Sequence, residues 1–383
     1  MSPRPNPIAR ILAATLLACI LVAAVAAASS GAADGCGFTR VDVGGKGIFP
    51  VQIDASDPNN VWAVGSLFDG GHGVPYAMRW DRDRWIDVPV PNPASKTNAS
   101  LHDVAVAGPD YVWAVGTSKS DTTLVERWDG SSWAVVPSPN LGEENQLTGV
   151  TAVATDVAWA VGRRSEHRQA RTLVERWDGS AWRIVASRNL GRSSSLRDVD
   201  AADGDDVWAV GWWVNARRLA RPLVQHWDGS TWRVEQVPGG RGGDRFLTGV
   251  SVVGHDVWAV GWTGVPDAYR PLVLHRDASG WAEANLPDVG VVAQLVAVDA
   301  SRSGVVAVGQ ASDDRGAFHP LVLRWDGSGW TEAPEDEPGR EAFLSGVVSV
   351  GEAAFWIAGA RSLDAEGLGT YIGRGCDGQR SSG

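Results

Sequence analysis

The sequence contains few of the residues on which most catalytic and metal sites depend. It has 3 cysteines, 4 tyrosines and 7 histidines among its 383 residues. It has no Cys-x-x-Cys, no His-Glu-x-x-His, no phosphate-binding glycine loop and no Gly-x-Ser-x-Gly, so the corresponding metal, nucleotide and esterase signatures are missing. We therefore expect no metal and no cofactor, and the sequence assigns no catalytic residue.

Positive charge is also in short supply. Lys and Arg together number 34 against 45 Asp and Glu, and the formal net charge is -11 at pH 7. A surface of this sign repels polyanions, so we expect no nucleic-acid partner.

The first 33 residues resemble an export signal. Arg4 and Arg10 precede an uncharged, mostly apolar run over 11–28, and small residues follow over 29–33. This pattern predicts a cleaved signal peptide, with an uncleaved membrane anchor as the alternative. The segment ending at Cys19 (Leu-Leu-Ala-Cys) is also similar to a bacterial lipid-attachment box. We expect a secreted or cell-surface protein that meets the membrane only through an uncleaved anchor.

What the chain has in abundance is a repeat rich in tryptophan. Val-Trp-Ala-Val-Gly recurs, in four close and three looser copies, at 61–65, 112–116, 158–162, 207–211, 257–261, 305–309 and 355–359. After most copies comes a second motif, as in Arg176-Trp177-Asp178-Gly179-Ser180-Ala181-Trp182, where an Asp-Gly turn joins two strands. A period of about 50 residues with several short strands is typical of a propeller blade. The sequence predicts an all-β, seven-bladed propeller of four-stranded blades over 36–378, with 379–383 as a tail.

The two ends of the repeat array complement each other. The seventh unit stops after Tyr371–Gly378 and lacks its fourth strand, whereas the segment starting at Cys36 resembles such a strand, with Phe38 in the place of a tryptophan. We predict that the N-terminal strand completes the last blade, which removes an exposed sheet edge. This closure brings Cys36 and Cys376 close together, and an exported protein can keep a disulfide between them.

These motifs resemble the kelch and galactose-oxidase type of propeller. The Asp-Gly-x-x-Trp turn is similar to a shortened Asp-box of sialidase-type propellers, and the whole repeat is similar to uncharacterised secreted bacterial proteins. The resemblance implies the fold but no activity. A galactose-oxidase copper site needs tyrosines and histidines together, and none of the four tyrosines has a suitable spacing to a histidine.

Most polar residues of the repeat have a structural interpretation. The turn aspartates are expected to cap local backbone amides; they are Asp129, Asp178, Asp228, Asp277 and Asp326. His226 and His275 replace the arginine before the turn and are also expected to be structural.

Residues that depart from the repeat are better candidates for binding. The loops after the second strand emerge on one face with the loops that join blades, and loops on a rigid scaffold commonly carry function. Aromatic rings beside arginines suit sugars, acidic glycans or acidic peptides. The predicted ligand-binding residues are Trp212, Trp213, Trp262, Tyr269, Arg168, Arg171, Arg217 and Arg218. The alternative is that these tryptophans only cover strand ends.

Two functions remain open from the sequence, besides a purely structural spacer, which predicts no pocket. The first is a monomeric, non-enzymatic propeller that binds a protein or carbohydrate ligand at the cell surface. The second is an extracellular glycan hydrolase or lyase that uses two carboxylates on the loops. The candidate acids are Glu143, Glu144, Asp267, Asp313 and Asp314.

Overall fold

The computed structural model describes residues 38–41, 43, 52–69, 72–93, 98–118, 121–240, 242–265, 268–334, 341–351, 354–363 and 367–376. These residues form an all-β, seven-bladed propeller of four-stranded antiparallel blades, and they contain no helix. None of the described segments is therefore a helix that could cross a membrane. The predicted leader over 1–33, Cys36, the side chain of Cys376 and the tail over 379–383 lie outside the described residues, so the leader and the disulfide stay predictions.

Each blade contributes four consecutive strands, except the last. Blade 1 is β2 (Gln52–Asp57), β3 (Asn60–Asp69), β4 (His72–Trp80) and β5 (Trp85–Val88). Blade 2 is β6 (Ser100–Gly108), β7 (Tyr111–Ser118), β8 (Thr122–Trp128) and β9 (Trp133–Val135). Blade 3 is β10 (Asn145–Ala154), β11 (Val157–Glu166), β12 (Gln169–Trp177) and β13 (Trp182–Ile184). Blade 4 is β14 (Ser194–Asp203), β15 (Asp206–Val214), β16 (Ala220–Trp227) and β17 (Trp232–Val234).

The remaining blades follow the same plan. Blade 5 is β18 (Asp244–Val253), β19 (Asp256–Val265), β20 (Ala268–Asp277) and β21 (Gly280–Glu283). Blade 6 is β22 (Val292–Ser301), β23 (Gly304–Ser312), β24 (Phe318–Trp325) and β25 (Trp330–Glu332). Blade 7 is β26 (Ala342–Val350), β27 (Ala354–Leu363), β28 (Gly367–Cys376) and β1 (Phe38–Arg40).

The predicted ring closure is confirmed. Strand β1 pairs antiparallel with β28, and Phe38 lies opposite Gly375. In blade 2 the same register places Trp133 opposite Trp128, so Phe38, which is 1% exposed, occupies the position of the second tryptophan. Gly375 stands where the first tryptophan would be because the ring of Phe355 fills that space, and a side chain at Gly375 would collide with it.

The tryptophans of the repeat hold neighbouring blades together. Trp113, on the second strand of blade 2, lies 5.0 Å from both Trp177 and Trp182, on the third and fourth strands of blade 3. Edge-to-face and tilted pairs at this spacing are favourable for aromatic rings. Equivalent trios are Trp62 with Trp128 and Trp133, Trp159 with Trp227 and Trp232, Trp258 with Trp325 and Trp330, and Trp356 with Trp80 and Trp85. The Asp-Gly turn therefore positions two rings that clamp a third ring from the preceding blade.

The residue that precedes the Trp-Asp-Gly turn packs on the second-strand tryptophan of its own blade. The Arg176 guanidinium lies 5.2 Å from the ring of Trp159, across one strand pair, which is a cation–π distance. His226 replaces this arginine in blade 4 and stacks on Trp208 at 4.0 Å, with its Nε2 2.8 Å from Asp206 Oδ1. His275 stacks on Trp258 in the same way. The structural interpretation of both histidines is therefore supported by their contacts.

The glycine that ends Val-Trp-Ala-Val-Gly also has a structural cause. Gly116 lies opposite Leu101, just before an irregularity in the pairing of β6 with β7. A Cβ at Gly116 would overlap the carbonyl oxygen of Ser100, so the irregular strand leaves no room for a side chain there.

The chain direction defines two faces of the propeller. The loop face is the side on which the loops between the second and third strands lie, together with the loops that join one blade to the next. Backbone bonds tie these two kinds of loop, since Ser165 N donates to Glu144 O at 2.7 Å and Arg192 N donates to Val214 O at 3.0 Å. The turn face is the opposite side, where the Asp-Gly turns lie.

Candidate functional site

The first strands of the seven blades surround a cavity on the propeller axis. This axial cavity has a volume of about 520 Å³, within the range of small-molecule sites. Its walls are polar along much of their height, and the described residues that line it include no Phe, Tyr or Trp. The polar groups include the carboxylates Asp54, Asp103, Asp198, Asp200 and Asp299, together with His102, Gln146 and Arg197.

The axial carboxylates link each blade to the next. The inner edge of each first strand has backbone N–H groups that no strand of its own sheet can bind. Val250 N donates to Asp198 Oδ2 at 2.8 Å, and Val252 N donates to Asp200 Oδ2 at 2.7 Å, across the boundary between blades 4 and 5. The same bond joins Val106 to Asp54, Val150 to Asp103 and Ser349 to Asp299. These aspartates therefore satisfy buried backbone donors around the axis.

The carboxylates are hard to ionise in this position. Burial raises the pKa of Asp54 and Asp200 to about 7, although backbone hydrogen bonds oppose the shift. Burial likewise raises the pKa of Asp198 to about 6 and that of Asp103 well above its usual range, where repulsion from Asp198 adds to it. Several of these groups consequently hold a proton near neutral pH.

This arrangement predicts that the protein is more stable in mild acid than at neutral pH. Between pH 4 and 7 the folded state binds protons at Asp54, Asp198 and Asp200 that the unfolded chain has released, so stability falls as pH rises through this window. The turn aspartates act in the opposite direction but at lower pH. Hydrogen bonds in the turns lower the pKa of Asp129 and Asp228 to about 2, so the stability that these carboxylates contribute is lost only below about pH 4. We expect the melting temperature to be higher at pH 5 than at pH 7.5 by at least about 2 °C.

The control for this pH effect is Asp200→Asn. Asparagine can still accept a backbone bond but cannot ionise, so the variant should show a smaller difference in melting temperature between pH 5 and pH 7.5. A melting temperature that rises from pH 5 to pH 7.5 in the unchanged protein would contradict the raised pKa values of the axial aspartates.

Two arginines stand near the loop-face end of the axial cavity. Arg197 follows Leu196 at a pairing irregularity of β14 and lines the cavity without a hydrogen bond or ion pair among the described residues. Arg163, on β11, donates from Nε to Gln146 Oε1 at 3.1 Å, and Gln146 also lines the cavity. His102 is nearby, since burial and then the charges of Arg197 and Arg163 lower its pKa, against the bond to Leu147.

The structure places Trp212 and Trp262 at the boundary between blades 4 and 5. Phe246, which the sequence analysis did not single out, stacks on Trp262 at 4.2 Å and lies 5.8 Å from Trp212. Tyr269 lies 4.5 Å from Trp262. Trp212 and Trp262 are each only 9% exposed, so most of their surface packs inside the protein, although the ligand-binding role of these rings stays a prediction.

Trp213 points away from this cluster. It follows Trp212 on β15, and successive side chains of a strand face opposite sides of the sheet. Its indole packs close to Gly191 in the loop that joins blades 3 and 4, where an added Cβ would lie 2.8 Å from the ring. Trp212 and Trp213 therefore do not form one aromatic platform.

The predicted arginines do share the loop face. Arg168 lies in the turn between β11 and β12, and Arg217 and Arg218 lie in the turn between β15 and β16; all three are exposed. None of the three has an ion pair among the described residues. Arg171 is different, because its Nε lies 3.7 Å from Glu166 Oε2 and its Nη2 donates to Gln169.

The acids considered for a loop-based enzyme lie on loops of different blades. Glu143 and Glu144 lie in the loop before β10, and Asp313 accepts bonds from the backbone N–H groups of Arg315 and Ala317. Asp267 lies outside the described residues. Within the described part of the chain, no cluster of His, Cys, Asp or Glu has the arrangement of a metal site.

The sequence analysis missed the axial carboxylates and Phe246. Aspartate occurs at equivalent first-strand positions in blades 1, 4 and 6, as Asp54, Asp200 and Asp299. This recurrence is visible in an alignment of the repeats, but serine, threonine or apolar residues stand at the same position in the other blades. The signal was therefore weaker than that of the tryptophans.

Comparison with solved structures agrees with the propeller architecture. YCF48 bound to D1 peptide is similar with a TM-score of 0.57 at 14% sequence identity, covering 90% of this chain and 99% of that chain. YCF48 from Cyanidioschyzon merolae is similar with a TM-score of 0.54 at 16% identity, covering 88% and 98%. No protein-family model matches the sequence, and no curated protein matches it significantly. At these identities the likeness establishes the fold alone.

Proposed function

We propose that this protein is an exported, non-enzymatic propeller that binds an acidic protein segment or an acidic polysaccharide at the cell surface. The observation that carries the proposal is the set of exposed arginines on the loop face of blades 3 and 4 that have no ion pair among the described residues. In a chain with a net charge of -11, such cations on neighbouring loops favour an anionic partner, because complementary charge steers association.

The fold is compatible with such a ligand. One similar propeller is described as bound to a peptide, and arginine suits carboxylate and sulfate groups because its planar fork can donate two parallel hydrogen bonds. The buried aromatic cluster of Trp212, Phe246 and Trp262 would then serve as a rigid support for the loops that carry the arginines.

The test is a triple substitution, Arg168→Gln, Arg217→Gln and Arg218→Gln. Binding is measured for two anionic probes, a heparin octasaccharide and a poly-glutamate peptide, by calorimetry at low salt. We expect at least one probe to bind and its Kd to rise about tenfold in the variant, since each exposed charge contributes up to about 1 kcal/mol. Glutamine is polar, and all three positions are exposed, so folding should be unaffected.

A matched control removes the same charge from the other side of the molecule. Arg82 and Arg84 lie in the turn between β4 and β5, and Arg302 lies in the turn between β22 and β23, all on the turn face. Their replacement by glutamine should leave the Kd within about twofold. An equal loss in both triple variants, or no binding of either probe, would disprove the loop-face proposal.

The second candidate is an extracellular glycan hydrolase or lyase. Carboxylates that converge near Arg197 in a cavity are the observation in its favour. Against it, the oxygens of Asp198 and Asp200 each accept a backbone bond, which leaves these groups committed to joining blades. Release of reducing ends from uronic-acid polymers by the unchanged protein, lost in Asp198→Asn, would favour the enzyme.

A further inference from the structure

The axial cavity has cationic side chains near one end and carboxyl groups further along, and it is separate from the arginines of the loop face. Near its loop-face end are the positive charges of Arg163 and Arg197. Further along the axis are carboxyl groups at two levels, Asp103 with Asp198, then Asp54 with Asp200 and Asp299. Arg197 lines the cavity as an exposed side chain, and Arg163 lies behind it on β11, where its Nε donates to the lining residue Gln146 at 3.1 Å. Neither arginine has an anionic partner among the described residues, and cations left without one at a cavity wall are candidate ligand-binding groups.

His102 does not neutralise or enlarge this positive charge. Its Nδ1 lies 2.8 Å from Leu147 O, and its Nε2 lies 2.8 Å from Ser100 Oγ. Because a carbonyl oxygen can only accept, Nδ1 carries a proton. Burial and the charges of Arg197 and Arg163 lower the pKa of the ring, which favours the neutral form, and in that form Nε2 accepts from the Ser100 hydroxyl. The ring is therefore neutral and fully bonded, and Arg163 and Arg197 are left as the cations that can meet a ligand.

We propose that the loop-face end of the axial cavity binds a carboxylate-bearing sugar, with Arg163 and Arg197 holding the carboxylate and the sugar hydroxyls directed toward Asp103 and Asp198. The site goes beyond the proposed function and does not depend on Arg168, Arg217 or Arg218. Its volume of about 520 Å³ suits a ligand of one or two sugar rings.

The chemistry of the walls favours a sugar over a peptide. Hydroxyl groups of a sugar can donate to carboxyl oxygens, and a carboxylate oxygen that accepts one backbone bond retains a second lone pair. Thr148, Thr248 and Ser345 add side-chain hydroxyls to the same lining. An apolar peptide side chain would find no Phe, Tyr or Trp among the described residues of this wall, whereas a polyhydroxylated ring would find acceptors on several blades.

The test compares three small probes on the full-length protein by ligand-observed NMR: glucuronic acid, glucose and an acetylated Ala-Ala-Ala with a free terminal carboxylate. Glucuronic acid should bind at least tenfold more tightly than glucose, because glucose lacks the carboxylate, and more tightly than the tripeptide, which lacks the hydroxyls. Arg197→Gln and Arg163→Gln should each raise the Kd for glucuronic acid by about tenfold or more, as expected for loss of a charge-assisted hydrogen bond.

The controls separate this site from the loop face. Arg217→Gln with Arg218→Gln should leave the Kd for glucuronic acid unchanged, and the cavity variants should leave binding of the poly-glutamate peptide unchanged. Folding of each variant is checked by its melting temperature. Equal binding of glucose and glucuronic acid, preference for the tripeptide, or an unchanged Kd in both cavity variants of native stability would overturn the inference.

Discussion

Replacing Trp113 with alanine is expected to lower the free energy of unfolding by about 3–5 kcal/mol, the usual range for a large aromatic residue in a core. Trp113 is fully buried. It contacts Trp177 and Trp182 of the next blade, and Arg127 of its own blade lies 5.9 Å from its ring. The substitution leaves a cavity between two sheets that cannot close without moving whole blades, so little of the loss can be recovered by relaxation.

The measurement is equilibrium unfolding in urea, followed by tryptophan fluorescence and circular dichroism. Val135→Ala is the matched control, because Val135 belongs to the same blade but is 44% exposed; its loss should be below about 0.5 kcal/mol. If Trp113→Ala unfolded at the same urea concentration as the unchanged protein, the tryptophan trios would not be what holds the blades together.

Replacing Glu126 with leucine is expected to stabilise the protein. Glu126 lies on β8, is 0% exposed, and neither of its carboxyl oxygens has a hydrogen-bond partner among the described residues. Burial raises its pKa to about 8. The equivalent residues in blades 5 and 6 are Leu274 and Leu323, both fully buried, so this position between blades accepts a leucine side chain.

The gain should depend on pH in a defined direction. A carboxyl group whose pKa is raised in the folded state reduces stability progressively as pH rises from about 4.5 to about 8, by roughly 1.4 kcal/mol per pH unit. The advantage of Glu126→Leu should therefore be smallest near pH 4.5, reach roughly 3 kcal/mol at pH 7, and level off above pH 8. A gain that is constant across this range would show that the carboxyl group does not titrate in the fold.

Glu175 provides the comparison for this experiment. It occupies the same position in blade 3, but its Oε2 accepts a hydrogen bond from Ser138 Oγ at 2.6 Å, and its pKa is raised only to about 7. Glu175→Leu removes that bond, so its gain should be smaller than that of Glu126→Leu. In blade 4 the equivalent residue is Gln225, which is uncharged. Its side-chain amide accepts from the N–H and donates to the C=O of Arg188, so both of its polar atoms are bonded.

Much of the fold could be predicted because the relevant information is local and repeated. Each copy of Val-Trp-Ala-Val-Gly specifies one strand, and each Asp-Gly turn specifies one hairpin. The incomplete seventh unit and the strand at Phe38 supply matching halves of one blade. Asp129, for example, accepts bonds from the backbone of Ser131 and Ser132, as the turn chemistry predicts. None of these conclusions required knowledge of which blades face each other across the axis.

The candidate sites could be predicted only in part, because burial depends on a neighbouring blade about 50 residues away. The sequence identified Trp212 and Trp262 as departures from the repeat but did not reveal Phe246, which covers both. It identified Arg217 and Arg218 as loop residues, and the structure places them there without ion pairs among the described residues. It did not single out Arg197, since one arginine in a strand has no pattern.

The sequence by itself thus determined the period, the seven blades, the all-β class and the closure of the ring by the N-terminal strand, because each follows from short-range hydrogen bonding and turn geometry repeated along the chain. Only the tertiary structure decided which polar groups meet on the axis. Asp54, Asp200 and Asp299 come from blades far apart in sequence, and ring closure brings them around one cavity. There burial raises the pKa of Asp54 and Asp200, and Arg163 and Arg197 are left to meet an anion.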